Sequence, residues 1–453
     1  MFITRRQFLK YCAASAAALG LSQTDLLKLE KAMAADSCDP GTIPGGLGPC
    51  PRVIWIAGAN CTGCATGLLN FVAPQAGYNP VGYGLTPQTW DENVPSLAAA
   101  YPLAGALDFD GDGVIDIGDV AVNVVSIDYY YVVAAAAGDT LNEHMVSLVL
   151  DGQPRTPYIL MIEGSVQLGG GGNYCRIFEV PPGRTLTIRG ANAGGAGAKC
   201  MAYSNAAPVA SGCKTTDGVK TLAEGSEVTL MDGAAWLASQ PNCAAVIAFG
   251  TCATWGGIPA AHGNKTNAQS AWFWLEKKNK LGKPIVNVPG CPPHPDWVVA
   301  PILEVILNGI GGLAAKLDTD LCTTKILDPG AKALATEGRP KLTYTPVFAK
   351  NRTFCDPALG KCPRFGTEVP EHITQCGRDE AVPSGKCLRG VGCNGWKTAP
   401  IGAKADCPTR MFNTHTNWCV GNNYPCQGCT DPNFPDGCAP FFLGSKGKWA
   451  GIA

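Results

Sequence analysis

Five short, continuous apolar runs separated by longer stretches constrain this chain most. They are Val53-Ile54-Trp55-Ile56-Ala57, Val122 to Asp128, Tyr158 to Ile162, Ala244 to Phe249 and Ile285 to Val288. Runs without polar alternation suit strands buried on both faces. Parallel strands in turn need long crossovers between them. The pattern from about Arg52 to Leu313 therefore predicts an α/β domain, a largely parallel sheet with helices outside. Pro295 to Leu307, with a proline early and apolar residues at helical spacing, predicts one of those helices.

Cysteines fall just past the ends of three runs. Cys61 and Cys64 follow the first, Cys252 the fourth and Cys291 the fifth. Ligand sites in open α/β sheets form outside the carboxyl ends of the strands, so three loops can bring four thiols to one place. The chain holds 22 cysteines in 453 residues. That length excludes a disulfide mini-scaffold, and a reducing cytosol supports few disulfides, which leaves metal ligation, disulfides after export, or both. A lone C-x-x-C is ambiguous between redox dithiol, zinc and cluster. Two further strand-end cysteines favour a 4Fe–4S cluster, whose iron suits soft thiolate ligands.

The N-terminus argues for export. Arg5-Arg6 precedes Phe8-Leu9-Lys10, a mild apolar run from Tyr11 to Leu21 and the small-x-small site Ala32-Met33-Ala34. A basic start, a short apolar middle and a small-residue end make a signal peptide of the twin-arginine type over residues 1–34. Expected localisation is periplasmic. No later stretch reaches the roughly 18 apolar residues of a membrane span. The nearest, Val298 to Leu313, is interrupted by Glu304, Asn308 and glycines, so no membrane anchor of its own is expected. Lys+Arg is 35 against Asp+Glu 36. That balance excludes the basic footprint of a nucleic-acid binder.

From about Thr343 the periodicity fades and Pro, Gly and Cys dominate, with ten cysteines between Cys355 and Cys438. Cross-links or metal clusters must supply the order that so little apolar material cannot. The expected organisation is a signal over 1–34, a sheet domain over 35–330 and a Cys-rich domain over 331–453. Within the first domain, Asp108, Asp110, Asp112, Asp116 and Asp119 stand at positions one, three, five, nine and twelve of a calcium-type loop. Gly113 takes position six and the Val114 carbonyl position seven. Aspartate at the last position resembles dockerin-type loops; the alternative is an Asp/Gly-rich surface turn.

Several motifs taken together resemble the small subunit of nickel–iron hydrogenases. They are Asn60-Cys61-Thr62-Gly63-Cys64, Ser126-Ile127-Asp128-Tyr129, Glu163-Gly164, Gly250-Thr251-Cys252-Ala253, Gly290-Cys291-Pro292-Pro293-His294 and Pro425-Cys426-Gln427-Gly428-Cys429. The resemblance implies a flavodoxin-like domain holding a proximal cluster, followed by an irregular domain holding two more. Cys61, Cys64, Cys252 and Cys291 would ligate the proximal 4Fe–4S cluster. Gly63 and Gly257 stand where oxygen-tolerant relatives carry extra cysteines, which implies an ordinary cluster here. Cys362, Cys387 and Cys393 match the distal set. The expected histidine before Cys362 is missing, so Cys355 is expected to replace it, with His372 and Cys376 as rivals. Cys407, Cys426 and Cys429 match the medial set. Cys419 would be its fourth thiolate, giving 4Fe–4S rather than 3Fe–4S, unless it is merely a buried small residue. Asn70 to Asp119 looks like an insertion absent from most relatives.

The resemblance implies a partner, the large subunit that splits dihydrogen, because this chain lacks that subunit's paired Cys-x-x-Cys motifs. Electrons would leave for a soluble c-type or membrane cytochrome. A rival from another class is an exported calcium-binding, disulfide-rich scaffold or adhesion protein. It explains the aspartate loop but not Cys252 and Cys291 at strand ends. A second rival is an iron–sulfur oxidoreductase sharing only the proximal fold, as in respiratory-complex relatives. Among residues outside these sets, Cys243 reads as an inert buried thiol. His294 reads as structural, and Trp272-Phe273-Trp274 as core or as a contact between subunits.

Overall fold

The computed structural model describes residues 52–69, 72–74, 114–117, 125–130, 136–151, 157–189 and 219–261, most of 263–299, and 417–430, with a few short or single positions besides. The signal segment, Cys38, Cys50, Cys200 and Cys213, and most of the Cys-rich segment before Asn417 lie outside the described residues.

The apolar runs form one five-stranded sheet. Its strands are β1 (Arg52–Ala57), β2 (Ser126–Tyr129), β3 (Tyr158–Glu163), β4 (Cys243–Phe249) and β5 (Ile285–Val288). All neighbours pair in parallel, in the order β2-β1-β3-β4-β5. That is the flavodoxin-like order, with its switch point between β1 and β3. Residues 122–124 of the expected strand from Val122 lie outside the described residues; the described strand runs from Ser126 to Tyr129. The expected helix after Pro295 is described only in part, with Val298 and Val299 N–H groups returning to the Pro295 carbonyl.

The continuous runs are apolar because both faces are covered. Val53, Ile54, Trp55 and Ile56 of β1 are buried, as is every residue of β3. Helix α1 (Gly63–Leu68) follows β1, and helix α2 (Gly138–Leu150) lays Leu141, Met145, Val146, Leu148 and Val149 on the sheet. Each such side chain contributes about 1.5–3 kcal/mol on burial. Arg184 grips the outer face of α2 through Glu143, Ser147 and Asp151.

Helix α3 (Leu230–Ser239) is buried along nearly its whole length, which suits its almost wholly apolar sequence. Its ends need internal partners for that reason. Thr229 Oγ1 accepts the Asp232 N–H at the start. At the end Lys283 Nζ donates to the carbonyls of Ala238, Gln240 and Cys243, at 2.9, 2.5 and 3.1 Å. Cys243 is buried as expected, and burial pushes its thiol up to about 11. Trp274 is buried too and donates its indole N–H to the Met231 carbonyl, so it is core, while Trp272 is half-buried against the same core. Buried His294 lies against Trp297, a structural place.

The ends of the Asn70–Asp119 segment meet as a two-stranded antiparallel ribbon, Val72–Pro74 against Val114–Asp116.

Candidate functional site at the carboxyl ends of the strands

Three strand ends deliver the first four thiols. Past β1 the chain bridges Ala59 to Ser165, then turns through Thr62, which has φ of 61°. That turn starts α1 (Gly63–Leu68), so Cys61 lies before the helix and Cys64 in its first turn. Past β4, Gly250 leads into α4 (Thr251–Trp255), which carries Cys252. Past β5, Gly290 leads to Cys291. Backbone bonds tie the last two loops, Gly250 N–H to the Val288 carbonyl and Thr251 N–H to the Gly290 carbonyl, both at 2.8 Å.

The four thiols lie within electrostatic reach of one another. Burial, then Glu163 and the other three thiols, holds Cys64 far above its ordinary range. Burial, then Cys291 and Cys61, pushes Cys252 up to about 12. Burial, then Cys61 and Cys419, raises Cys291. Cys64, Cys252 and Cys291, which resist ionising alone but crowd together with Cys61, are suited to a cationic iron core, which would stabilise thiolates there. Among the described residues no group of three His, Cys, Asp or Glu side chains could hold a single metal ion.

Glycines make the room. Gly250 has φ of +85°, and a Cβ there would stand 2.3 Å from Cys64 Sγ. Gly63 and Gly257 also face the thiols: a Cβ would stand 3.1 Å from Cys61 Sγ and 2.9 Å from Cys252 Sγ, respectively.

Glu163, the last residue of β3, lies under this set at the switch point, with no exposed surface. Its Oε1 accepts the Ala65 N–H at 3.3 Å, across 98 residues, and so tethers the turn that carries Cys64. Burial raises its pKa, against the pull of the Ala65 N–H, Trp55 and Tyr130. Trp55 and Tyr130 stack at 4.0 Å, and Phe249 meets Trp55 edge-on.

A second set packs against the first. Cys419, Cys426 and Cys429 lie within 11 positions, and Cys429 feels Cys291, Cys426 and Cys419 electrostatically. Burial before those charges raises the Cys429 thiol well above its ordinary range, and burial also raises Cys419. Cys419 has the accessible surface of an exposed residue, so it is not a buried small residue, although its thiol is largely covered. Cys393 is buried, and its Sγ accepts the Cys426 N–H at 3.3 Å. Of the other predicted ligands, Cys355, Cys362, Cys387 and Cys407 lie outside the described residues, as do the rivals His372 and Cys376. So do Asp108, Asp110, Asp112 and Asp119, while Val114 and Asp116 are described only as backbone of the short ribbon.

Residues 114–305 match the family model "NADH ubiquinone oxidoreductase, 20 Kd subunit", and residues 360–442 match the model for the C-terminal part of the "NiFe/NiFeSe hydrogenase small subunit". The first match covers the sheet domain from β2 onward, which the second rival would share; the second is named for hydrogenases. The chain is 28% identical over 450 residues to the periplasmic [NiFeSe] hydrogenase small subunit of Desulfomicrobium baculatum, covering 98% of this chain and 99% of that one. Over nearly its whole length this chain is similar to the small subunits of nickel–iron hydrogenases. The chain is also 26% identical to the quinone-reactive Ni/Fe-hydrogenase small chain of Wolinella succinogenes, over 97% of this chain and 83% of that one. Among solved structures it resembles the oxidised [NiFeSe] hydrogenase of Desulfovibrio vulgaris Hildenborough, with 29% identity, a TM-score of 0.52, and coverage of 89% of this chain and 99% of that one.

Two participants were not singled out as site residues from sequence. Thr251 and Trp255 reach across to the second set, through contacts 178 and 175 residues away. Their only local signal was proximity to Cys252.

Proposed function

We propose that this chain carries electrons released by dihydrogen oxidation in a large-subunit partner, through proximal, medial and distal iron–sulfur sites, to a cytochrome-type acceptor. The observation that carries this reading is the convergence of Cys61, Cys64, Cys252 and Cys291 at the sheet's switch point, with Cys419, Cys426 and Cys429 packed beside them. Clusters bound there would supply one-electron storage and transfer. The chain's own residues fix the thiols, exclude water and shape the local field. β1, β4 and β5 aim the loops, Glu163 tethers the Cys64 turn, and Trp55, Tyr130 and Phe249 close the floor with apolar rings.

Cys61 and Cys291 are exposed in the isolated chain, and Leu69 and Ile258, which end the two ligand-bearing segments, are 58% and 47% exposed. An apolar rim around partly open thiols suits coverage by the large subunit. In this reading Cys407 joins the medial set, and Cys362, Cys387, Cys393 and Cys355 hold the distal cluster. The domains divide at about residue 330. The complex works in the periplasm, reached by the twin-arginine route. Among the described residues no helix is long and apolar enough to cross a membrane. The calcium reading of Asp108, Asp110, Asp112, Val114, Asp116 and Asp119 rests on their sequence spacing.

The test is to purify the chain with its large subunit, then measure iron and sulfide. About twelve irons per small subunit are expected, with cluster signals that appear under dihydrogen. A folded, colourless, iron-free complex would overturn the reading and return the scaffold alternative.

A further inference from the structure

Thr251 stands one residue before Cys252 and is 1% exposed. Its hydroxyl accepts the Gly290 N–H at 2.8 Å, beside Cys291. The same hydroxyl donates to the Cys429 carbonyl at 2.5 Å. One oxygen thus joins the backbone beside two thiols of the first set to the backbone of a thiol in the second. One further contact closes the same seam: the Trp255 indole N–H donates to the Thr430 carbonyl at 3.3 Å.

We propose that Thr251 is the positioning residue that fixes the separation between the first and second thiol sets, and with it the electron-transfer distance between the groups they hold. The geometric half stands on the contacts above; the electron-transfer half rests on the proposed function.

The position demands a group that donates and accepts at once, because it faces a Gly290 N–H on one side and a Cys429 carbonyl on the other. A hydroxyl does both. Valine keeps the branched shape and does neither, while serine does both without the methyl. The Cys252 and Cys291 loops are also tied by the Thr251 N–H to the Gly290 carbonyl, and by the Gly250 N–H to the Val288 carbonyl. Losing the hydroxyl therefore leaves the first set assembled and loosens the second against it.

The experiment compares wild type, Thr251→Val and Thr251→Ser in the intact heterodimer. Hydrogen exchange of the segment 417–430 should quicken roughly tenfold in the valine variant, the size of one buried hydrogen bond lost. Serine should restore it. In the reduced protein, the electron paramagnetic resonance signature of magnetic interaction between neighbouring clusters should weaken with valine and return with serine, at unchanged iron content. Thr251→Ala serves in place of valine if valine prevents folding. Unchanged exchange and unchanged magnetic interaction in a fully iron-loaded valine variant would overturn the proposal. So would a serine variant that behaves like valine. Absence of iron from the wild type would instead sink the electron-transfer reading, and the exchange comparison would still decide the clamp.

Discussion

Replacing Glu163 tests how the sheet holds its first thiol set. Glu163→Ala removes the acceptor of the Ala65 N–H, and Ala65 is itself buried. A buried N–H left without a partner costs about 1–3 kcal/mol. The void left by a fully buried carboxyl side chain adds about 1–2 kcal/mol. Against this, the substitution removes an anion that faces Cys64. Taken together the loss should be about 2–4 kcal/mol, or roughly 5–10 °C in melting temperature for a domain of this size. Glu163→Gln keeps an acceptor for Ala65 and should cost far less.

The sign with pH distinguishes the two variants further. Burial raises the folded pKa of Glu163 above its ordinary value of 4.5. Its stabilising contribution is therefore complete below that value and is lost as pH rises through the folded pKa. The glutamine variant should lack this decline and gain on wild type as pH climbs above 4.5. Glu143 and Asp151 behave oppositely, since hydrogen bonds from Arg184 lower both. Their contribution is lost as pH falls, and is worth under about 1 kcal/mol at so exposed a site. Calorimetric melting of the purified protein at several pH values, with iron counted beforehand, provides the assay. Equal melting temperatures for wild type and Glu163→Ala, at full iron content, would refute the tether. A glutamine variant as damaged as alanine would show that charge rather than acceptance matters.

Further outcomes follow from other residues. Gly250→Ala puts a methyl 2.3 Å from Cys64 Sγ at a φ of +85°, so the first site should lose its cluster, about four irons by analysis, while the sheet still melts cooperatively. Cys355→Ser should lower the iron count and alter one cluster signal; an unchanged count and spectrum would pass the ligand role to His372 or Cys376. Titration calorimetry should detect calcium binding that Asp108→Ala abolishes, and identical isotherms for the two proteins would remove the calcium reading.

Much of the sheet was legible because burial on both faces leaves a strong local mark. The runs at Val53, Tyr158, Ala244 and Ile285 mapped to strands within a residue or so. Of the run at Val122, residues 122–124 lie outside the described residues, and its described part pairs from Ser126 against Arg52. Which strands neighbour which is not a local property. The order β2-β1-β3-β4-β5 depends on crossovers packing over the sheet, and it alone puts Glu163 beside the loop of Cys64.

By itself, then, the sequence determined the chemistry available: four thiols past strand ends, glycines where no side chain fits, and a hydrogenase-like spacing of cysteines near the C-terminus. Donor type and loop position are written residue by residue. The tertiary structure decided which distant groups act on those thiols. Glu163 supports Cys64 from 98 positions away, and the Thr251 hydroxyl clamps Cys429 from 178. Hydrogen bonds act over about 3 Å whatever the chain distance, so only folding could select these partners.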